Sequence, residues 1–208
     1  MTTPRRLVVG ISGATGIVYG VRLLHVLRQE GIESHLVVTK AAEMTRAYET
    51  DLSAQDLRSL ATVSYTITDL GAAISSGSFK TMGMIVAPCS IRTLGEIAHG
   101  VTSTLLTRAA DVVLKERRRL VLLVRETPLT ATHIRSMLAV TESGGIIAPP
   151  VPAFYTRPQT VDDIVDHTVG RVLDLFDIDM TGMQRWGEDT TTREKTGTVD
   201  DSVEGVIR

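Results

Sequence analysis

Residues 10–16 read Gly10-Ile11-Ser12-Gly13-Ala14-Thr15-Gly16, and this turn decides the fold. It follows a short apolar run, Leu7 to Ile11, rich in β-branched residues and therefore read as a buried strand. It precedes Val18, Val21, Leu24 and Leu27, which recur at helical spacing until Gly31 closes the segment. A strand, a glycine-rich turn and a helix in that order aim backbone N–H groups and the positive end of a helix dipole at one point. Ser12 and Thr15 add hydroxyl donors there. The same pattern also serves a tight strand-to-helix turn with no ligand. If an anion is held, its class follows from spacing. A dinucleotide fingerprint reads G-x-G-x-x-G, with an acid ending the second strand. Here the glycines are spaced G-x-x-G-x-x-G, and the second strand, His35 to Thr39, runs into Thr39-Lys40 without a carboxylate. NAD is disfavoured, no Gly-Lys-Ser/Thr follows to make a P-loop, and a mononucleotide such as FMN fits better.

Outward from the turn, strands and helices alternate. Helical patterns are expected over Ala41–Thr50, Ser90–Ala98, Ser103–Arg118, Thr130–Thr141 and Thr160–Phe176, with a short turn or helix from Ser53. Further strands are expected over Met82–Ala87, stopped by Pro88, over Leu120–Val124 and briefly over Gly145–Ala148. Ala61 to Lys80 reads mostly as a long loop. This alternation predicts an α/β fold, a three-layer Rossmann- or flavodoxin-like open sheet, mostly parallel, with helices on both faces. The 208 residues suit one domain, read as 1–186, with a polar, aperiodic tail over 187–208.

Composition narrows the partners. The net charge of -2 argues against nucleic acid and membrane surfaces, and 4% aromatics against base-stacking platforms. No apolar run approaches the ~18 residues of a membrane helix and no signal-peptide layout is present, so a cytoplasmic protein is expected. The single cysteine, Cys89, excludes an internal disulfide and a cysteine-rich metal site. It is a nucleophile or, as a lone cysteine after a buried strand more often is, inert packing.

In open α/β sheets ligands bind beyond the carboxyl ends of the strands. Those ends carry Gly13 to Thr15, Thr39, Pro88-Cys89-Ser90 and Arg125-Glu126, a set suited to a phosphate-bearing ligand and an acid/base group. Ser90 and Thr93 open a helix and serve as a second anion site or as plain caps. Arg108 and Lys115 share a helix face, but the Lys115 end lies at the wrong sheet edge for its own crevice. If Lys115 meets a substrate phosphate, it does so in a neighbouring subunit.

Beyond the glycine turn, the chain carries YETD (48–51), GAAISSGSF (71–79), VAPCS (86–90), RAADVVLKERRRLVLLVRETPL (108–129) and PPVPAFYTRPQ (149–159). With these motifs it resembles the UbiX-like flavin prenyltransferases from Val8 to about Trp186. The resemblance is strongest to the small subunits associated with hydroxyarylic or phenolic acid decarboxylases. It implies that the dimethylallyl group of dimethylallyl phosphate is joined to N5 and C6 of reduced FMN, with release of phosphate and without a metal. The prenylated FMN then serves a UbiD-type decarboxylase. It also implies a homo-oligomer, dodecameric in the family.

Carried over by motif, FMN-binding positions fall on Gly13, Ala14, Thr15, Thr39, Ser90, Ile91, Arg92, Thr93 and Arg125. Dimethylallyl-phosphate contacts fall on Arg108, Lys115, Arg125, Tyr155 and Arg171. The two active-site acids fall on Glu49 and Glu126, and the tail aromatic on Trp186. Thr15 and Thr39 stand where serine is frequent, yet both keep the hydroxyl. On this reading Glu126 protonates the leaving phosphate, and Tyr155 and Trp186 face an allylic cation with their π surfaces. Trp186 serves equally as an anchor for the tail. Two alternatives remain: a flavin-dependent aryl-acid decarboxylase acting directly, and a non-catalytic flavin carrier. Cysteine decarboxylases share the glycine turn, but their PASANT and PxMNxxMW motifs are not found here.

Overall fold

The computed structural model describes residues 5–186. The tail expectation for 187–208 lies outside the described residues. Six strands form one sheet: β1 (Arg6–Ile11), β2 (Glu33–Val38), β3 (Val63–Tyr65), β4 (Gly83–Cys89), β5 (Arg119–Val124) and β6 (Ile146–Ile147). Their order is β3-β2-β1-β4-β5-β6, and every pair is parallel. Among the described residues seven α-helices connect or follow them: α1 (Ile17–Gln29), α2 (Lys40–Glu49), α3 (Ala54–Ser59), α4 (Ile91–Ala98), α5 (Leu105–Lys115), α6 (Ala131–Glu142) and α7 (Val161–Asp174). The expected open, three-layer sheet is what the chain forms.

The layers follow from the period-two alternation of strand side chains. Leu7, Val9 and Ile11 of β1, with Ile85 and Ala87 of β4, face the layer of α1 and α7. Val8, Met84 and Val86 face the opposite layer, where α4, α5 and α6 contribute Leu94, Leu106 and Val140. Both faces are covered, so β1 after Arg6 and all of β4 are runs without polar alternation. Each buried Leu or Ile contributes about 1.5–3 kcal/mol over its exposed state, and this double core holds the sheet.

Two expectations need correction. The third strand does not stop before Pro88: β4 runs to Cys89, with a cis Ala87-Pro88 bond and a register shift between Val86 and Cys89. Proline has no N–H for the ladder, and its carbonyl is used instead, accepting from the Ser12 N–H at 3.1 Å. The segment 61–80 is not simply a loop. Val63–Tyr65 adds the edge strand β3, and Ala73–Ser75 forms a 3₁₀ turn. Three half-exposed residues on an edge carry too little pattern to be read as a strand. No helix among the described residues is long and apolar enough to cross a membrane.

Candidate active site

The strand order reverses direction between β1 and β4, so the loops leaving them part and open a crevice at the carboxyl edge. A cleft of about 250 Å³ lies there, lined among others by Gly13, Thr39, Ser90, Arg92, Thr93 and Thr107. Three helices begin around it. Thr39 caps α2 by accepting from the Ala42 N–H at 3.1 Å. Ser90 caps α4 by accepting from the Thr93 N–H at 3.3 Å. Thr104 caps α5 in a capping box with Thr107. The hydroxyls expected to meet an anion are thus helix caps as well as cleft lining. Three helix N-termini converging on one cleft are suited to a phosphate monoester. Thr104 and Thr107 were not anticipated; the only signal is the Thr-x-x-Thr that opens α5.

The glycine turn is built differently from the sequence expectation. Ser12 is fully buried; its hydroxyl donates to the Pro88 carbonyl at 3.1 Å and accepts from the Ser90 N–H at 2.7 Å. It ties β1 to the β4 loop and is not a ligand donor. Gly16 adopts φ +101°, where a side chain is strained. Beyond it, the N–H groups of Gly16 and Ile17 both donate to Oε2 of Glu49, each at 2.9 Å. The N-terminus of α1 therefore already faces an anion, the carboxylate that ends α2. Burial alone would raise the Glu49 pKa. Hydrogen bonds from the Thr15 hydroxyl and from the Ile17 and Gly16 N–H groups outweigh that, with the Arg125 guanidinium assisting, and hold the carboxyl below the usual range. What the turn offers the cleft is Gly13, where a Cβ would stand 2.3 Å from that of Ala41. Only glycine lets α2 approach so closely.

The remaining residues form two groups. At the end of β5, the Arg125 N–H donates to the Cys89 carbonyl at 3.1 Å, and its side chain lies near Glu49 and Tyr19. Glu126 is exposed beside it and accepts from the Thr127 N–H at 3.1 Å. The second group is carried by α7 and the turn before it. Tyr155, on the 3₁₀ turn Phe154–Thr156, has its hydroxyl 3.0 Å from Nε2 of His167 and its ring edge-on to Trp186, with centroids 5.3 Å apart. Arg171 follows one turn after His167 and pairs with Asp174 at 2.8 Å, as does Arg185. His167 and Tyr19 were missed from the sequence; the one signal for the former is its spacing from Arg171, four apart on one helix face.

Arg108 and Lys115 are not brought to this cleft. Arg108 is engaged by the Ser75 carbonyl and Asp111, and Lys115 by Glu116 at 2.7 Å. Helix α5 starts at the cleft and rises about 1.5 Å per residue, which leaves Lys115 about 15 Å along the axis from its first residue, Leu105. Cys89 is wholly buried in the core, and desolvation pushes its thiol well above the usual range. That is packing, not a nucleophile.

The chain matches known proteins by family model, by sequence and by structure. The flavoprotein family model matches residues 1–173. The flavin prenyltransferase UbiX of Neisseria meningitidis serogroup B is 57% identical over 88% of the chain and 96% of its own length. The mitochondrial flavin prenyltransferase PAD1 of Saccharomyces cerevisiae is 50% identical over 88% of the chain and 76% of its own. Among solved structures, AnUbiX (PadA1) in complex with FMN and dimethylallyl pyrophosphate superposes with a TM-score of 0.87 at 50% identity, covering 88% of this chain and 98% of that one. A dodecameric FMN-dependent UbiX-like decarboxylase from Escherichia coli O157:H7 gives 0.85 at 51% identity, covering 87% and 98%. The cysteine decarboxylase TvaF, at 20% identity and a TM-score of 0.57, shares the fold.

Proposed function

The chain belongs to the flavoprotein family and, within it, to the UbiX flavin prenyltransferases, and from that premise we propose how its own residues carry the reaction. FMN and an allylic phosphate are both substrates. Reduced FMN supplies the nucleophilic N5 and C6 positions that take the dimethylallyl group.

The observation that carries the reading is the convergence of α2, α4 and α5 on the cleft holding Gly13, Thr39, Ser90 and Thr93. Their N-termini and cap hydroxyls suit the FMN phosphate, with Ala14, Thr15, Ile91, Arg92 and Arg125 completing the flavin contacts. At about 250 Å³ this cleft falls below the ~300–1,000 Å³ usual for such ligands. A neighbouring subunit supplies the missing wall. The same assembly brings Arg108 and Lys115 of one subunit to another's allylic phosphate, and the homo-oligomer proposed is dodecameric, like the Escherichia coli relative.

Arg125, Arg171 and Tyr155 hold the dimethylallyl phosphate within the chain. The two arginines, with Arg108 and Lys115 of the neighbouring subunit, stabilise the charge that develops as the C–O bond to phosphate breaks, which removes the need for a metal. Glu126 delivers a proton to the leaving phosphate. Trp186 is three-quarters exposed in the single chain and stands perpendicular to the Tyr155 ring, and its exposed π surface meets the allylic cation. The product, prenylated FMN, passes to a UbiD-type decarboxylase in the cytoplasm.

The test is the mass of the flavin after incubation with reduced FMN and dimethylallyl phosphate. The expected product is FMN carrying one five-carbon unit, and Glu126→Gln abolishes it while FMN stays bound. An unchanged flavin mass, together with decarboxylation of an aryl acid by this chain alone, would overturn the reading.

A further inference from the structure

Helix α7 is fastened to α1 on both sides of a single residue. Asp166 takes a two-pronged ion pair from Arg22, at 2.5 and 2.9 Å. Thr168 lies against the Tyr19 hydroxyl. His167 stands between these two anchors, so its ring is carried by a segment that is fixed in place. Its Nε2 lies 3.0 Å from the Tyr155 hydroxyl oxygen, and the two rings meet edge-on with centroids 5.6 Å apart and planes at 85°. Tyr155 itself rides on an exposed turn, where the backbone alone does not settle which way the hydroxyl hydrogen points.

We infer that His167 is a positioning residue for Tyr155: its Nε2–H donates to the phenol oxygen and leaves the Tyr155 O–H free to donate to the allylic phosphate. The inference rests on the prenyltransferase reading above. A phenol has one hydrogen to give and lone pairs to accept with. If Tyr155 gave its hydrogen to Nε2, it would present only lone pairs to a phosphate dianion, and the contact would be repulsive. With Nε2–H as donor the hydrogen points at the anion. No positive charge on the ring is needed for this. Burial, and next the Arg171 charge, keep the His167 pKa below the ordinary histidine range, with Asp174 only partly opposing them. Arg171 lies one turn further on the same face and holds the same phosphate.

The experiment is steady-state kinetics on the full-length assembled protein, with dimethylallyl phosphate varied at saturating reduced FMN. His167→Leu is expected to raise KM for dimethylallyl phosphate about five- to tenfold, the scale of one lost hydrogen bond. The kcat changes little and FMN affinity stays as it was. His167→Gln, whose amide can donate the same bond, recovers most of that loss. In a Tyr155→Phe background, His167→Leu adds nothing further, because the two act through one contact. His167→Phe keeps the ring and removes the donor; it repeats the KM effect should His167→Leu melt early. An unchanged KM in His167→Phe, or full additivity with Tyr155→Phe, overturns the inference. Failure of the underlying reading is seen separately, as the wild-type protein leaving the flavin mass unchanged.

Discussion

Glu49 is an acid whose charge is already in use within the fold. It ends α2 and caps α1, accepting the Gly16 and Ile17 N–H groups that the sequence pattern alone assigns to a bound phosphate. A carboxylate at a helix N-terminus is worth about 0.5–1 kcal/mol, and its exposed position lets salt screen part of that. Its folded-state pKa is depressed. Its stabilisation is therefore complete above the ordinary glutamate range and is lost as the pH falls through the depressed value. Glu49→Gln is expected to be less stable than the parent at neutral pH. The difference shrinks toward zero in acid. Urea midpoints measured from pH 7 down to pH 3 check this, and a constant offset across that range would refute it. Cys89 teaches the complementary lesson. The motif VAPCS places a thiol beside a ligand-binding loop, yet full burial removes it from the chemistry.

At the scale of elements, most of the pattern was legible because the core is two-sided. Runs such as Leu7 to Ile11 and Leu120 to Val124 are apolar because helices cover both faces of the sheet. The parts that were not legible are those where partners distant in sequence decide. β4 continues through Pro88 because the Ser12 backbone and hydroxyl take up the Pro88 carbonyl and β5 pairs again at Cys89. β3 exists only because β2 offers it an edge. The packing of α1 on β4 rests on Gly20, where a Cβ would stand 2.5 Å from the Ala87 carbonyl oxygen and 2.8 Å from the Ile11 side chain. Gly20→Ala gains about 1 kcal/mol of helix propensity. The clash with backbone outweighs that gain, and a net loss of about 1–3 kcal/mol is expected from chemical denaturation. An unchanged midpoint would show that α1 can slide without cost.

At the scale of the whole molecule, the proposed site is divided between subunits. Glu126 and Tyr155 lie at the carboxyl edge of the sheet or against α7, while Lys115 ends a helix that leaves the cleft. Lys115→Ala and Glu126→Gln are each expected to be inactive alone. Mixed oligomers assembled from both variants contain some sites with an intact Lys115 and an intact Glu126. Such mixtures are expected to regain prenylation, measured by flavin mass. Two inactive variants that stay inactive after confirmed subunit exchange would show that each site is completed within one chain.

Apart from the edge strand β3, the alternation of strands and helices and the two-faced core were determined by sequence alone. Apolar periodicity and glycine placement are local properties, and they survive being read one segment at a time. The motifs RETP and PAFY carried the resemblance that assigned the chemistry. Only the tertiary structure decided which donors meet which acceptors. It gave the N-terminus of α1 to Glu49, withdrew Ser12 and Cys89 into the interior, and set His167 against Tyr155. Each of those outcomes depends on a partner far along the chain or on another element, with 33 positions separating Gly16 from Glu49 and 78 separating Ser12 from Ser90. A hydrogen bond is directional and exclusive, so its partner is settled only when packing has brought the candidates within reach.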